Sequence, residues 1–199
     1  MPIIAFVSNK GGAGKTTLCI NLASALAHRD STIVLDADPQ RSSLNWHAIA
    51  RGAKAFPVLA ASEDVVAAAD DHAERARYLV IDCPPSVHSQ QTNDALAQAD
   101  LALIPVQPSP LDLWASVTIE AEVDRARRTN PNLRALLVIN QLEPRTRLSK
   151  LMRDALAELS LPAAETAIRR RMVYRSSVIQ GCSVLDVGSQ GGAAAQEIR

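Results

Sequence analysis

Aromatic residues are scarce in this sequence, where they make up 3% of 199 residues. Surfaces that bind nucleic acid by stacking rely on several aromatic side chains, so the composition argues against that class of binding surface. Hydrophobic residues nevertheless make up 47% of the chain and charged residues 21%, as in a folded globular domain. We therefore expect a core built from aliphatic side chains.

Cysteine is equally scarce. The three cysteines are odd in number and far apart, and none of them forms a CxxC pair. The four histidines show no ligand spacing with the cysteines. We therefore expect neither a disulfide framework nor a zinc site. The residues concerned are Cys19, Cys83, Cys182, His28, His47, His72 and His88.

Long apolar runs are absent as well. No stretch approaches the roughly 20 apolar residues that are needed to span a bilayer. The first residues, Met1 and Pro2, lead into an apolar run without a basic leader. Residues 191–199 lack the large basic amphipathic face of a membrane anchor. We therefore expect a cytoplasmic protein without a membrane partner.

The sequence does contain short apolar runs of strand length, separated by segments with helical spacing. The runs are apolar throughout, which is typical of strands covered on both faces. Strands that alternate with helices form βαβ units and a parallel sheet. We predict one α/β domain over residues 1–199, a doubly wound, mostly parallel sheet with helices on both faces. The predicted strands are 3–7, 32–35, 78–81, 101–106 and 136–139, and two predicted helices are 65–76 and 113–128.

Polar and turn-forming residues follow each predicted strand. Ligands of doubly wound sheets bind at the carboxyl ends of the strands, so these segments are the first place to look for chemistry. They are residues 8–17, 36–40, 82–86, 107–112 and Asn140.

The first of these segments is a glycine-rich loop that leads into a helix. Glycines let backbone N–H groups and the helix N-terminus point at phosphate oxygens. Lys15 can reach the β and γ phosphates, and the Thr16 hydroxyl can complete the shell of a Mg²⁺ ion. Asn9 stands where the general phosphate-loop pattern has its first glycine, and a second lysine follows it. The candidate nucleotide-binding residues of this loop are Lys10, Gly11, Gly12, Ala13, Gly14, Lys15, Thr16 and Thr17.

The segment Lys10-Gly-Gly-Ala-Gly-Lys15-Thr-Thr resembles the deviant Walker A motif of the ParA/MinD family of ATPases. Residues 36–40 resemble the first switch of that family, 79–86 its Walker B segment, 104–112 its proline-rich nucleotide and dimer loop, and 171–184 a late family segment. The resemblance is closest to the small ParF-like partition proteins and extends to relatives that position carboxysomes. It implies an ATPase that binds ATP and Mg²⁺ and forms a homodimer in the ATP state, with Lys10 reaching the partner's nucleotide.

Three carboxylates at predicted strand ends are candidates for the chemistry. Asp82 could hold Mg²⁺ directly or through a water, although an aspartate at that place can also cap a helix. The resemblance makes Asp38 the residue that positions or activates the attacking water, while Asp36 supports the metal shell. The Asp38-Pro39 pair could instead be only a turn. The candidate catalytic residues are thus Lys10, Lys15 and Asp38, and the candidate metal residues are Thr16, Asp36 and Asp82.

Two further residues are candidates for contacts with the base. The amide of Asn140 could donate to and accept from an adenine edge. The resemblance supports that role, and a turn after a strand is the alternative. Pro108 would pre-set the loop beside the base and lower its ordering cost.

Positive charge is concentrated late in a chain whose 21 basic residues balance 21 acidic ones. Residues 145–175 contain eight basic and three acidic residues. Such a segment can be a solvated face or can bind a polyanion. The resemblance implies nonspecific binding of nucleoid DNA, and arginine suits phosphate by its forked geometry. The candidate DNA contacts are Arg145, Arg147, Lys150, Arg153, Arg169, Arg170, Arg171 and Arg175.

The function that the resemblance implies is the positioning of a cargo over the nucleoid. ATP-dependent dimers would bind DNA and be stimulated by a cargo-associated activator of the ParB, ParG or McdB kind. The cargo could be a plasmid or other DNA, or a protein organelle such as the carboxysome. No operator-binding module is expected before the first strand. The alternative is a small-molecule metabolic enzyme of the same superfamily, such as a dethiobiotin-synthetase-like ligase, which would need a pocket for a second substrate.

Overall fold

The computed structural model describes residues 1–50, 56–144, 146, 151, 154–156 and 158–199. Six strands form one parallel sheet in the order β3-β2-β4-β1-β5-β6. Strands β2, β3 and β4 lie on one side of β1, and β5 and β6 lie on the other. A ligand of a doubly wound sheet is expected where the strand order changes direction in this way, at the carboxyl end of β1. The strands are β1 Ile3–Phe6, β2 Thr32–Asp36, β3 Val58–Ala60, β4 Tyr78–Asp82, β5 Leu101–Val106 and β6 Arg134–Ile139.

Seven named α-helices and one 3₁₀ helix lie between and after the strands in the described part of the chain. The longest, α5, starts with a proline at its first turn, where the missing N–H costs nothing. The α-helices are α1 Lys15–Ala27, α2 Ser42–Ile49, α3 Val65–His72, α4 Gln90–Gln98, α5 Pro110–Ala126, α6 Met172–Ile179 and α7 Gly192–Ile198, and the 3₁₀ helix is Gly188–Gly191.

The core consists of one apolar cluster on each face of the sheet. Side chains of a strand alternate between the two faces, so Ala5 and Val7 enter one cluster while Ile4 and Phe6 enter the other. The first cluster includes residues of α3, α4 and α5, and the second includes residues of α1, α2, α6 and α7. Helices therefore cover both faces, as the sequence predicted.

The expectation of an aliphatic core is correct for the first cluster and wrong for the second. The second cluster contains Phe6, Trp46, Phe56 and Tyr174, and the rings of Trp46 and Phe56 stack at 5.7 Å. Aromatic side chains bury more apolar surface than any others, so even a few of them contribute strongly to one face.

No pair of cysteines forms a disulfide in the described residues, where all three are free.

Within the described residues, no helix is both long enough and apolar enough to pass through a bilayer.

Candidate functional site

The glycine-rich loop joins β1 to α1 at the carboxyl edge of the sheet. Gly12 and Gly14 have φ angles of 79° and 95°, in the left-handed region that side chains avoid. A Cβ atom on Gly14 would also lie 2.3 Å from Nδ2 of Asn140. Glycine is therefore required at position 14 both for the backbone conformation and for the close approach of Asn140.

Lys15 is the buried lysine of the loop. It is the first residue of α1, and its Nζ donates to Oγ of Ser8 at 3.0 Å. Burial lowers the pKa of Lys15, while the nearby carboxylates of Asp82 and Asp38 act in the opposite direction. An ammonium group at the N-terminus of a helix, directly after a glycine-rich loop, can bind a phosphate group.

Lys10 takes a different position, in an ion pair within its own chain. Its Nζ lies 3.2 Å from Oδ2 of Asp112 in α5, and its side chain is 43% exposed. Asp112 is buried. The contact joins residues that are 102 positions apart and holds the loop lysine against the helix that follows β5.

Asp82 ends β4 at the centre of the site and is completely buried. Its Oδ2 accepts hydrogen bonds from Oγ1 of Thr16 at 2.7 Å and from Oγ of Ser43 at 2.8 Å. Its Oδ1 is buried without a hydrogen-bond partner among the described residues. Burial is the main reason that the pKa of Asp82 rises to about 6, and the two hydroxyl donors oppose that rise.

An oxygen of a buried carboxylate that lacks a protein donor fits the needs of a metal ion or a metal-bound water. The described residues contain no group of three or more acidic, cysteine or histidine side chains that could hold a metal by themselves. Mg²⁺ at a nucleotide needs no such group, since it is bound by one or two protein oxygens together with phosphates and waters. Thr16 and Asp82 therefore fit Mg²⁺ as a nucleotide-associated ion.

Asp36, at the end of β2, is occupied by backbone donors. Its Oδ1 accepts from the N–H of Asp38 at 3.2 Å and its Oδ2 from the N–H of Leu44 at 2.9 Å. Burial raises the pKa of this carboxyl group. The direct task of Asp36 in this structure is to hold the segment between β2 and α2, and its role in a metal shell stays a prediction.

Asp38 lies in that segment and is 8% exposed. Its Oδ1 accepts from the N–H of Gln40 at 2.9 Å, which closes the local turn that was the alternative to a catalytic role. The turn leaves Asp38 in the wall of the cavity beside the loop, and its catalytic role stays a prediction.

Asn140 follows β6 and contacts the glycine-rich loop directly. Its Nδ2 donates to the carbonyl of Ala13 at 2.7 Å and its Oδ1 accepts from the N–H of Gln141 at 2.9 Å. Gln141 has a φ of 56°. The amide therefore supports the loop in this structure, and its contact with adenine stays a prediction.

A cavity of about 460 Å³ lies beside the glycine-rich loop, and its volume is typical of small-molecule sites. Its described wall includes Asp38, Asn140, Tyr174 and much of the loop, but not the predicted site residues Lys10, Ala13, Asp36, Asp82 and Pro108. The predicted loop residues in the wall are Gly11, Gly12, Gly14, Lys15, Thr16 and Thr17. The wall is completed by Leu18, Gln40, Ser42, Pro85 and Gln141 and by the late arginines Arg169, Arg170, Arg171 and Arg175.

Those arginines are predicted DNA contacts, and three of them form ion pairs with glutamates. Arg171 lies 2.7 Å from Glu197 in α7, Arg170 lies 2.6 Å from Glu143, and Arg169 lies 3.9 Å from Glu197. Arg175 forms no ion pair in the described part of the chain. The other four predicted DNA contacts, Arg145, Arg147, Lys150 and Arg153, lie outside the described residues.

Sequence reasoning missed several groups that build the site. Ser8 accepts from Lys15, Ser43 donates to Asp82, and Gln107 donates from Nε2 to the carbonyl of Gly12 at 2.6 Å. Ser8 and Gln107 did lie in the segments after β1 and β5, so their positions were a usable signal. Ser43 carried no such signal, since it belongs to a helix that was not predicted.

The sheet, the loop between β1 and α1, and the buried carboxylate at the end of β4 define a nucleotide-binding protein of the phosphate-loop class. The chain belongs to the family described as the CobQ/CobB/MinD/ParA nucleotide binding domain, whose model matches residues 4–180. The predicted fold class and the predicted family are thereby confirmed.

Two similar proteins are both called maintenance of carboxysome distribution protein A. The one from Halothiobacillus neapolitanus is 38% identical over 205 residues, which cover 98% of this chain and 92% of that protein. The one from Gloeobacter kilaueensis is 32% identical over 187 residues, which cover 92% of this chain and 83% of that protein. A solved complex of a McdA alanine variant with ATP from Cyanothece covers 100% of this chain and 96% of its own, with a TM-score of 0.75 and 16% identity. At that identity the likeness supports the fold alone.

Proposed function

We propose that this chain is a Mg²⁺-dependent ATPase that dimerises around ATP, binds DNA without sequence preference and positions an intracellular cargo. The observation that carries the proposal is a phosphate loop with two lysines, together with a buried Asp82 whose Oδ1 has no partner among the described residues. Two relatives of nearly full coverage are named for carboxysome distribution. Those names favour cargo positioning over the alternative of a dethiobiotin-synthetase-like ligase.

The residues of this chain would act on ATP mainly by positioning and electrostatics. Backbone N–H groups of the loop and the ammonium of Lys15 hold the phosphates. Thr16 and Asp82 would hold Mg²⁺, which supplies neutralisation of the phosphate charge when it is bound. Asp38, in the wall of the cavity, would orient the attacking water.

We assign Lys10 and α5 to the dimerisation step. Lys10 is partly exposed at the loop, and the α5 residues Trp114 and Val117 are 68% and 55% exposed. Apolar side chains three residues apart lie on one face of a helix, and an exposed apolar face of this kind suits contact with another protein surface. We assign that face to the second copy of the chain in the ATP state.

DNA binding should be steeply dependent on salt. If an ATP-bound dimer neutralises roughly six phosphates, its affinity for random duplex DNA should fall about a thousandfold between about 50 and 200 mM salt. Replacing Arg170 and Arg175 by alanine should weaken binding equally on all sequences and lower the salt slope by about one for each phosphate that the variant no longer neutralises. Fluorescence anisotropy with labelled duplexes at saturating ATP measures both quantities.

The matched control replaces Arg75 and Arg77, two exposed arginines in front of β4, and removes the same charge at the opposite edge of the sheet. This control should bind DNA nearly as the wild type does. An Arg170/Arg175 variant with the affinity and salt slope of the wild type would move the DNA surface away from the late arginines.

The cargo that the relatives favour is the carboxysome, with a carboxysome-associated activator protein as the partner. We expect the protein to be cytoplasmic and associated with the nucleoid. Deleting the gene in its host should leave carboxysomes clustered instead of distributed, which fluorescence microscopy of a labelled shell protein measures. Unchanged carboxysome positions together with rapid plasmid loss would instead identify a plasmid as the cargo.

A further inference from the structure

Ser43 is a buried hydroxyl whose partner is the carboxylate at the centre of the site. It lies in the first turn of α2 and is fully buried. Its Oγ donates to Oδ2 of Asp82 at 2.8 Å, and the same oxygen accepts from Thr16 at 2.7 Å. Burying a hydroxyl is costly unless it is hydrogen-bonded, so the side chain of Ser43 is committed to Asp82.

The two hydroxyl groups donate to the same oxygen of the Asp82 carboxylate. With Oδ2 occupied by Thr16 and Ser43, Oδ1 is the oxygen left without a donor among the described residues. A hydrogen bond to a charged group is stronger than one between neutral groups, so two such bonds to the same oxygen fix the rotation of the carboxylate. Ser43 thus helps to determine which oxygen of Asp82 is left without a donor among the described residues.

Ser43 also connects Asp82 to the segment that carries Asp38. The neighbouring N–H of Leu44 donates to Oδ2 of Asp36 at 2.9 Å, so the start of α2 is attached to both buried carboxylates. A shift of α2 would therefore move the partner of Asp82. The hydroxyl is the only side-chain link from α2 to Asp82 in the described residues.

We propose that Ser43 is a positioning residue for Mg²⁺: it holds Asp82 so that Oδ1 is presented to the hydration shell of the ion. The proposal rests on the proposed function in so far as the ion arrives with a nucleotide. Residues that orient metal ligands in this way typically affect metal affinity by about 10–100-fold. Ser43 would therefore control how much Mg²⁺ the bound nucleotide requires.

The test measures the affinity of a fluorescent ATP analogue as a function of free Mg²⁺ in the full chain. We expect Ser43→Ala to raise the Mg²⁺ concentration for half-maximal effect by about tenfold. Binding measured in EDTA should stay within about twofold of the wild type, because the phosphate cradle is intact. A Ser43→Ala variant with the Mg²⁺ dependence of the wild type would overturn the proposal.

Two further variants separate this role from a structural one. Ser24→Ala removes another buried hydroxyl, which pairs with Ser183 at 2.9 Å and forms no hydrogen bond with Asp36 or Asp82 among the described residues. This variant should keep the wild-type Mg²⁺ dependence. Ser43→Thr retains the hydroxyl and should stay within about threefold of the wild type. If Ser24→Ala or Ser43→Thr shifts the Mg²⁺ dependence as far as Ser43→Ala does, the assignment is wrong.

The same binding measurements distinguish a failure of the proposed function from a failure of the role of Ser43. A wild-type chain that binds no ATP analogue, with or without Mg²⁺, contradicts the ATPase proposal itself. Binding by the wild type with equal Mg²⁺ dependence in Ser43→Ala contradicts only the role of Ser43.

Discussion

Replacing Asp38 by alanine should lower the rate of ATP hydrolysis by about 100–10,000-fold, the range in which a positioned acid or base contributes to catalysis. ATP binding should change little, because the glycine-rich loop and Lys15 do not depend on Asp38 for their conformation. We therefore expect the variant to lose most of its ATP hydrolysis and to keep its ATP binding.

The geometry supports this separation. Asp38 lies in the wall of the cavity, and its local hydrogen bond uses Oδ1, which accepts from the N–H of Gln40. Loss of a bond of this kind costs about 0.5–1.5 kcal/mol of stability, too little to unfold most domains. The variant should therefore fold and accumulate in the ATP-bound state.

Phosphate release under single-turnover conditions measures the rate, and calorimetry with a slowly hydrolysed analogue measures the binding. Asp94→Ala is a suitable control, since this aspartate bonds only locally to Gln90 in α4 among the described residues. It should hydrolyse ATP as the wild type does. Normal turnover in Asp38→Ala would transfer the catalytic role, with Asp36 as the next candidate.

Much of the sheet could be predicted from the sequence because its strands are buried on both faces. Five of the six strands were predicted within two residues of their bounds, since a short and continuous apolar run is typical of a strand covered by helices on both sides. The strand that was missed, β3, has three residues at the edge of the sheet and, among the described strands, pairs with β2 alone. A run that short carries no periodic signal.

The helices were less predictable for a related reason. The sequence of α4 is mostly polar, and its burial depends on Thr92, Ala95 and Leu96. The predicted helix over 65–76 ends at His72, and the one predicted over 113–128 spans Pro110–Ala126. Helix ends depend on caps and tertiary packing, which hydrophobic spacing alone does not specify.

In the site, local motifs were predictable and long-range pairs were not. The loop, Asp36 and Asp82 were identified because each stands at the end of an apolar run. The ion pair between Arg171 and Glu197 and that between Lys10 and Asp112 join residues distant in sequence. The late arginines were interpreted from the sequence either as a solvated face or as DNA contacts. Neither interpretation predicted that some of them would lie in the wall of the cavity. These two ion pairs form because α5 supplies Asp112 and α7 supplies Glu197.

Replacing Lys10 by alanine should abolish ATP-dependent dimerisation and reduce hydrolysis by about a thousandfold or more, as the loss of a cation supplied in trans does in other phosphoryl-transfer enzymes. ATP binding by the monomer should be preserved, because Lys15 is the buried lysine of its own loop. Replacing Lys15 instead should weaken ATP binding itself. Sedimentation with ADP and with ATP measures dimerisation, and phosphate release measures turnover.

The pair with Asp112 is weak enough to leave Lys10 available for the predicted second partner. The side chain of Lys10 is 43% exposed, and a pair with such a solvated member contributes no more than about 1 kcal/mol. In the predicted dimer, a phosphate of the partner's nucleotide would offer a stronger charge-assisted bond, and Lys10 would leave Asp112 for it. Asp112→Asn removes the pair but keeps the lysine, and it should dimerise with ATP at least as readily as the wild type. If Asp112→Asn loses dimerisation as fully as Lys10→Ala, the contact within the chain is what dimerisation requires, and the assignment of Lys10 to the partner's nucleotide is wrong.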